Sequence, residues 1–272
     1  MSSDSDDAHE RRTGDTYDRQ EWNVAGVLSS AASRLRRNPT LLVPFALAGV
    51  VLAGIDALRR RDPIPALEHA GLDEATIHLE FVGYPTATSG TALPLEALVG
   101  LELPYLAWGL GLYVISLLAV SVAGVLTLTA LLDGEAHLES LSSYLGLVVL
   151  FDLAHRLVGS IGFLQEMGLF GLVPLAVLLW VLVRLFAAPG LAAAGASPWT
   201  ALRESGRWTG GDGWSVLGLL FVLGIVAWLL ASVPVGGPVL TGALVAPVHA
   251  VAVASLFEHR RESGGFSRSL EV

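Results

Sequence analysis

The sequence predicts an all-α protein: a polytopic transmembrane helical bundle of about six spans, with two interfacial amphipathic helices. Three observations carry that prediction. Hydrophobic residues make up 53% of the 272-residue chain and charged residues only 15%, against about 25% charged in typical soluble domains; mean hydropathy is +0.62. Several uncharged runs approach or exceed the roughly 20 residues that a helix needs to cross a bilayer. Two further stretches pair helical apolar spacing with Trp and Arg, a combination that suits the membrane surface and not the hydrocarbon.

Charge and cysteine usage bound the function. All 16 basic residues are Arg, with no Lys, and 25 acidic residues bring the net charge to −9. An acidic excess without Lys resembles the proteins of halophilic archaea. A GC-rich bacterial genome also favours Arg, Ala, Gly and Val, but does not account for the acidic N-terminal residues. The negative charge argues against nucleic-acid binding, which needs a basic footprint. With no cysteine, disulfides, thiolate catalysis and Cys-ligated metal sites are excluded. No short apolar h-region lies near the N-terminus, so no cleavable signal peptide is expected. The first span would direct insertion into the cell membrane.

Residues 1–20 are polar and read as a disordered acidic tail. Residues 21–37 read as an amphipathic helix: Val24, Val27, Leu28, Ala31 and Leu35 follow i, i+3, i+4, i+7 spacing, with Trp22 at the start and Arg34, Arg36 and Arg37 at the end. Asn38-Pro39-Thr40 breaks it. Spans are expected at about 41–58, 103–132, 144–164, 168–188, 214–233 and 238–257. Asp56 and Arg59-Arg60-Arg61 close the first. An outer loop over 62–102 follows, with alternation over 76–82 that suits a short strand. Residues 133–143 read as a polar turn. Gln165-Glu166-Met167 makes the third and fourth spans antiparallel neighbours, with Glu166 as a solvated cap. Pro174 is expected to kink the fourth span, and Pro189-Gly190 to end it. Residues 259–272 read as a second disordered tail. The membrane domain thus covers 21–258.

The most distinctive stretch is the hinge from Arg184 to Trp214. Ser197 offers an N-cap and Pro198 suits the first helical position of an interfacial helix over 198–208. Trp22, Trp199, Arg203, Arg207, Trp208 and Trp214 are the expected interfacial anchors. Six spans put both termini on one side, and the Arg count of that side suggests the cytoplasm. Arg59–Arg61 fall on the other side and oppose that orientation.

Within the hinge the residues Pro198, Ala201, Leu202, Ser205, Trp208, Thr209, Gly210 and Trp214 form a pattern. A span ends in Pro, a small-residue run leads to Pro-x-x-Ala-Leu, and Ser, an aromatic residue, Thr and Gly lead to an aromatic at the next span. This pattern is similar to the membrane domain that precedes glycerophosphoryl diester phosphodiesterase in some bacteria, and to YciC-like and haloarchaeal six-helix proteins. The helix ending Arg36-Arg37-Asn38-Pro39 resembles the same family. The resemblance covers about residues 21–258 and implies a six-helix membrane domain. The enzymatic members carry a separate barrel with a His-Arg-Gly opening. Here His259-Arg260 is followed by Arg261, so the resemblance does not extend to phosphodiesterase chemistry.

Three ionisable residues, Asp152, His155 and Arg156, share one helical face in mid-span three. Charges at membrane depth are costly and face the bundle interior by default. Two readings stay open: a polar path or proton-coupled site, or an Asp152–Arg156 ion pair with His155 as a hydrogen-bonded neighbour. His249 in span six either meets that cluster or bonds a backbone carbonyl. His69, Asp73, His78 and Glu80 in the outer loop are too loosely spaced for a metal site, so neither metal nor cofactor is expected. Gly242, Ala246, Ala250 and Ala254 place a small residue at every fourth position of span six, a close-packing stripe. It would pack within the bundle or make a homodimer, and Gly224, Ala227 and Ala231 of span five are candidates to face it. No P-loop, nucleophile elbow or His-Glu-x-x-His motif is present.

The residues thus predict a non-catalytic integral membrane protein, a scaffold or partner-binding subunit. Its partners would be the lipid bilayer and a membrane protein or a second copy of itself. A small transporter component with its polar site in span three is the first alternative. A membrane-embedded enzyme acting on lipid head groups is the second.

Overall fold

The computed structural model describes residues 22–62, 64, 67–68, 83–92, 101–158, 168–233 and 236–262. They form an all-α bundle. Helix α1 covers Val24–Arg37, and a 3-10 turn over Pro39–Leu42 leads into α2, Val43–Arg59. A two-residue antiparallel pair follows, β1 (Leu67–Glu68) against β2 (Thr91–Ala92), with Leu67 opposite Ala92. Next come α3 (Leu103–Leu131), α4 (Leu138–Val158) and α5 (Leu172–Leu185). The short α6 (Ala188–Ala193) and then α7 (Pro198–Trp208) form the hinge, and α8 covers Gly213–Ala231. The last helix opens as α9 (Gly237–Leu240), passes through a π-helical turn over Thr241–Val245, and ends as α10 (Ala246–Glu262).

Five helices among the described residues are long and apolar enough to cross a membrane: Pro39–Arg59, Leu103–Leu131, Leu172–Ala193, Gly213–Ala231 and Gly237–Glu262. Their apolar side chains cover the outside of the bundle as well as its core. Val43, Leu47 and Val50 of α2, Val114 of α3 and Trp180 of α5 are all exposed. In water such a surface would aggregate; in lipid it is solvated. The chain is built as a membrane protein. The sixth expected span, α4, is a 21-residue helix that carries Glu139 and Asp152 along its length. It lies antiparallel along α3: Tyr144 packs onto Gly124 and, two turns further on, Asp152 meets Tyr113.

Several boundaries differ from the sequence reading, each for a local reason. Helix α4 starts at Leu138, inside the stretch read as a polar turn, because Leu138 and Leu141 already sit one turn apart and Glu139 suits a helix N-terminus. The polar turn is only 132–137. There Asp133 takes a left-handed φ of 54° and the Gly134 N–H bonds back to the Thr129 carbonyl, a Schellman close. Pro174 does not interrupt a helix: it is the third residue of α5, where an absent N–H costs no internal bond. Pro189 opens α6 instead of ending a span, since proline is tolerated in a first turn. The last helix continues to Glu262, past the expected limit, because Glu258 pairs with Arg34 and Arg260 with Asp212.

One end of the bundle gathers α1, α7 and the close of α10. Trp22 Nε1 donates to Ser255 Oγ at 3.2 Å, and Arg34 Nη1 to Glu258 Oε1 at 2.8 Å. The Glu258 carboxylate holds the Arg34 guanidinium above its ordinary pKa, chiefly through this hydrogen bond. The other end, the loop end, carries residues 59–62 and 83–92 and the turn into α9.

Close backbone crossings draw α2 and the last helix together. A Cβ on Gly49 would stand 2.6 Å from the Pro238 carbonyl oxygen, and one on Gly242 would stand 2.6 Å from that of Phe45. So α2 and the start of the last helix touch backbone to backbone, as small residues permit in lipid. The stripe of Gly242, Ala246, Ala250 and Ala254 is buried inside the bundle. Replacing Gly49 or Gly242 with Leu is expected to cost about 1–3 kcal/mol through overpacking. Gly54, with open space around it, should tolerate Ala without loss. Thermal unfolding in detergent checks this, and equal midpoints for all three variants would contradict the close crossing.

Candidate functional site

The site begins with one carboxylate. Asp56, in the last turn of α2, is 2% exposed. It accepts hydrogen bonds from Ser89 Oγ (2.7 Å), the Gly90 N–H (2.7 Å), the Thr91 N–H (3.2 Å) and Thr91 Oγ1 (2.6 Å). Arg59, one turn on and nearly buried, donates to the Thr91 carbonyl at 3.3 Å. A Cβ on Gly90 would lie 3.1 Å from Asp56 Oδ2 and 3.2 Å from Arg60 Nη2, so the loop backbone sits directly against both groups. Charge-assisted bonds of this kind are about twice as strong as neutral ones.

The clamp carries an irregular segment into the bundle. The Thr88 N–H donates to Thr241 Oγ1 at 3.0 Å. Ala87 is 5% exposed and lies beneath Gly242. Gly83 abuts Phe151, and the Tyr84 ring stands 5.8 Å from it. Phe151 is seven residues short of the end of α4, so the segment enters about two turns below that end. Non-helical backbone at such depth is tolerated only where it is buried in protein or lines a polar cavity. Residues 83–92 meet that condition.

They form one wall of a partly open cavity of about 30 Å³, with α8, the π turn and α10 on the other side. His249 lines it. His249 is 5% exposed, its ring stacks on Phe186 with centroids 5.4 Å apart, and its Nε2 has no hydrogen-bond partner. Phe186 in turn meets Trp22 edge-on at 6.3 Å. Gly224 and Ala227 of α8 line this cavity together with Val245 and His249.

The mid-span cluster resolves in part. Asp152 is half-buried and accepts a hydrogen bond from the Tyr113 hydroxyl of α3. The side chains of His155 and Arg156 lie outside the described residues, as do His69, Asp73, His78, Glu80, Glu166 and the stretch 76–82. His249 stacks on Phe186, just past the end of α5, and lines the cavity beside the 83–92 segment. Among the described residues no group of three His, Asp or Glu is placed to hold a metal ion.

The hinge is built as a cap on the bundle. Ser197 Oγ accepts from the Thr200 N–H at 3.3 Å and Pro198 takes the first helical position, so α7 spans the expected residues. Ser205 Oγ accepts the Ala187 N–H at 3.1 Å, satisfying the backbone where α5 breaks into α6. Trp208 stacks on Phe257 at 4.3 Å. Arg260 donates to the Trp208 carbonyl and to Asp212. The six expected anchors therefore divide. Trp199 (75% exposed) and Trp214 (87%) stand outside, with Arg203 and Arg207 also exposed. Trp22 and Trp208, both 7% exposed, pack inward because each finds an aromatic partner and a buried helix face.

No family model, no curated protein and no solved structure matches the chain.

Sequence reasoning did not single out Tyr84, Thr86, Thr88 or Tyr113, and treated Asp56 as a span end. The available signal was Asp56 itself, an acid near the close of an apolar run. Asp56→Ala is expected to cost about 2–3 kcal/mol, since it leaves buried N–H and hydroxyl donors unpaired. Asp56→Asn should also weaken the clamp, because its amide sets an NH2 donor against the Gly90 N–H. Limited proteolysis in detergent should then cut within 83–92 where the parent resists. Unchanged protection in Asp56→Ala would show that the clamp does not hold the segment.

Proposed function

We propose that the chain acts as a non-catalytic membrane protein, a scaffold or a partner-binding subunit, with both termini on the cytoplasmic side. The carrying observation is that Asp56, the buried carboxylate among the described residues, and the half-buried Asp152 serve structure. Asp56 spends its oxygens on Ser89, Gly90 and Thr91, and Asp152 receives Tyr113. Carboxylates that act on substrates keep an oxygen for the reacting atom. The resemblance of the Pro198–Trp214 pattern to the membrane domains of the phosphodiesterase and YciC-like families fits this reading. So does the orientation by arginine: Arg34, Arg184, Arg207 and Arg260 gather at the end with α1 and α7. Arg59, which opposed the orientation, is tied into the 83–92 segment by its bond to Thr91. Partners would meet the exposed faces of α1 and α7 or the lipid-facing helices.

A second reading, a small transporter component, is favoured by one observation: the buried His249 lines a cavity beside an irregular segment. Transporter sites are often built where a helix or loop is broken at membrane depth.

Native mass spectrometry of the full chain, purified in high salt and mild detergent, separates the two. The scaffold reading expects a defined oligomer or a complex with a second protein, carrying bulk lipid alone. A retained small polar ligand that is lost in Asp152→Asn would overturn it.

A further inference from the structure

At the end of the bundle with α1 and α7, Arg34 holds Glu258, Arg207 holds Glu204 and Arg260 holds Asp212. Arg184 has no acidic partner among the described residues. Its guanidinium carbon lies 5.3 Å from the centre of the Trp180 ring, and its Nη1 donates to the Gly206 carbonyl of α7 at 3.2 Å. The ring and the carbonyl steady the guanidinium. Gly206 takes one of its five N–H groups, which leaves four to donate.

The surroundings of Arg184 are those of a lipid. Val173, Val177, Trp180 and Arg184 recur at spacings of three and four, so they form one stripe of α5, and all four are exposed. From Val173 to Arg184 the stripe runs about 16 Å, roughly half of a hydrocarbon core of about 30 Å. One leaflet covers that length, with acyl chain against the valines and the headgroup level at Arg184. Trp180 has the amphipathic ring that settles at this level. A Cβ on Gly213 would lie 3.6 Å from Val183, which sets the exposed Trp214 beside the same end of α5.

We propose that Arg184, steadied by Trp180 and Gly206 at the head of the lipid-facing stripe of α5, binds the phosphate of an anionic phospholipid in the leaflet at the α1 and α7 end. A cation at the edge of the hydrocarbon is costly without a counter-charge, and the lipid phosphate supplies the one that the described residues do not. The guanidinium fork matches two phosphate oxygens. A zwitterionic lipid brings its own cation to compete with Arg184, and an anionic lipid does not. Arg203, exposed and without an acidic partner among the described residues, stands one turn from Gly206 on α7 and adds positive charge. The nearby Glu204 is neutralised by Arg207. This inference takes the chain's place in a bilayer as given and is separate from the scaffold reading. The lipid is one of the bilayer's own, and losing its selection would leave the oligomer seen by mass spectrometry unchanged.

The test is native mass spectrometry of the full chain in mild detergent, with dioleoyl phosphatidylglycerol and dioleoyl phosphatidylcholine added in equal amounts. The two probes share their chains and phosphodiester and differ in net charge. The parent is expected to retain the anionic lipid about five times as often as the zwitterionic one, the preference that one basic residue gives at an anionic surface. Arg184→Gln should make the two equal. Arg37→Gln, which removes an exposed charge outside the stripe, should leave the parent's ratio in place. If Arg184→Gln does not fold, Trp180→Leu takes over: it removes the ring beside the guanidinium, keeps the charge, and should lower the ratio. Equal retention of the two lipids by the parent would overturn the proposal. So would a preference that survives these stripe variants, or one that Arg37→Gln lowers as much as they do. Displacement of the lipid by inorganic phosphate at matched concentration would assign the site to free phosphate and overturn the lipid.

Discussion

A peptide group inside a membrane must find its hydrogen bond within the protein, and this constraint shapes the whole bundle. Most of the chain meets it by being helical. Residues 83–92 do not, and the structure provides for them one group at a time. Asp56 takes the N–H groups of Gly90 and Thr91, Thr241 takes that of Thr88, and Arg59 takes the Thr91 carbonyl. Thr241 reaches its position because the last helix runs through a π turn there, and its own hydroxyl proton goes back to the Gly237 carbonyl. The break between α5 and α6 follows the same logic, with Ser205 from α7 bonded to the Ala187 N–H. Both of these departures from regular helix draw on polar side chains of neighbouring elements.

That division explains what the sequence made legible. Helix identity and placement follow from long apolar runs and from caps, so α3, α7 and α8 lie within two residues of their expected bounds. The amphipathic α1 is recognisable from Val27 and Ala31, which are buried. Tertiary pairings do not follow from local pattern. Nothing in the spacing of Asp56 marks Ser89-Gly90-Thr91 as its partners, more than 30 residues away. Nothing in Asp152 marks Tyr113, because the two meet only once α3 and α4 lie antiparallel. Trp22 and Trp208 mislead for the opposite reason: an aromatic beside Arg is the mark of a membrane surface, but each ring here has an inward partner in Phe186 or Phe257.

Proline and glycine show how position decides meaning. The sequence treats Pro174 and Pro189 as interruptions. In the bundle each stands in the first turn of a helix, where it fixes φ at no cost in hydrogen bonds. Glycine acts in a similar way at Gly190, which admits the Phe257 ring and Val253 against the backbone of α6. Small residues thus let the hinge lie flat against α10, and the aromatic pair of Trp208 and Phe257 covers the seam.

The last two turns of α10 act as a latch for two elements at once. Glu258 holds Arg34 of α1, and Arg260, two residues on, holds Asp212 and the Trp208 carbonyl of the hinge. A chain cut back to Phe257 would keep the apolar run of the last helix, yet remove the bonds that Glu258 and Arg260 make to α1 and the hinge. A fusion joined after Glu262 would leave both in place. The end of the last helix is therefore a fastening that α1 and the hinge share, and shortening it acts on segments far earlier in the chain.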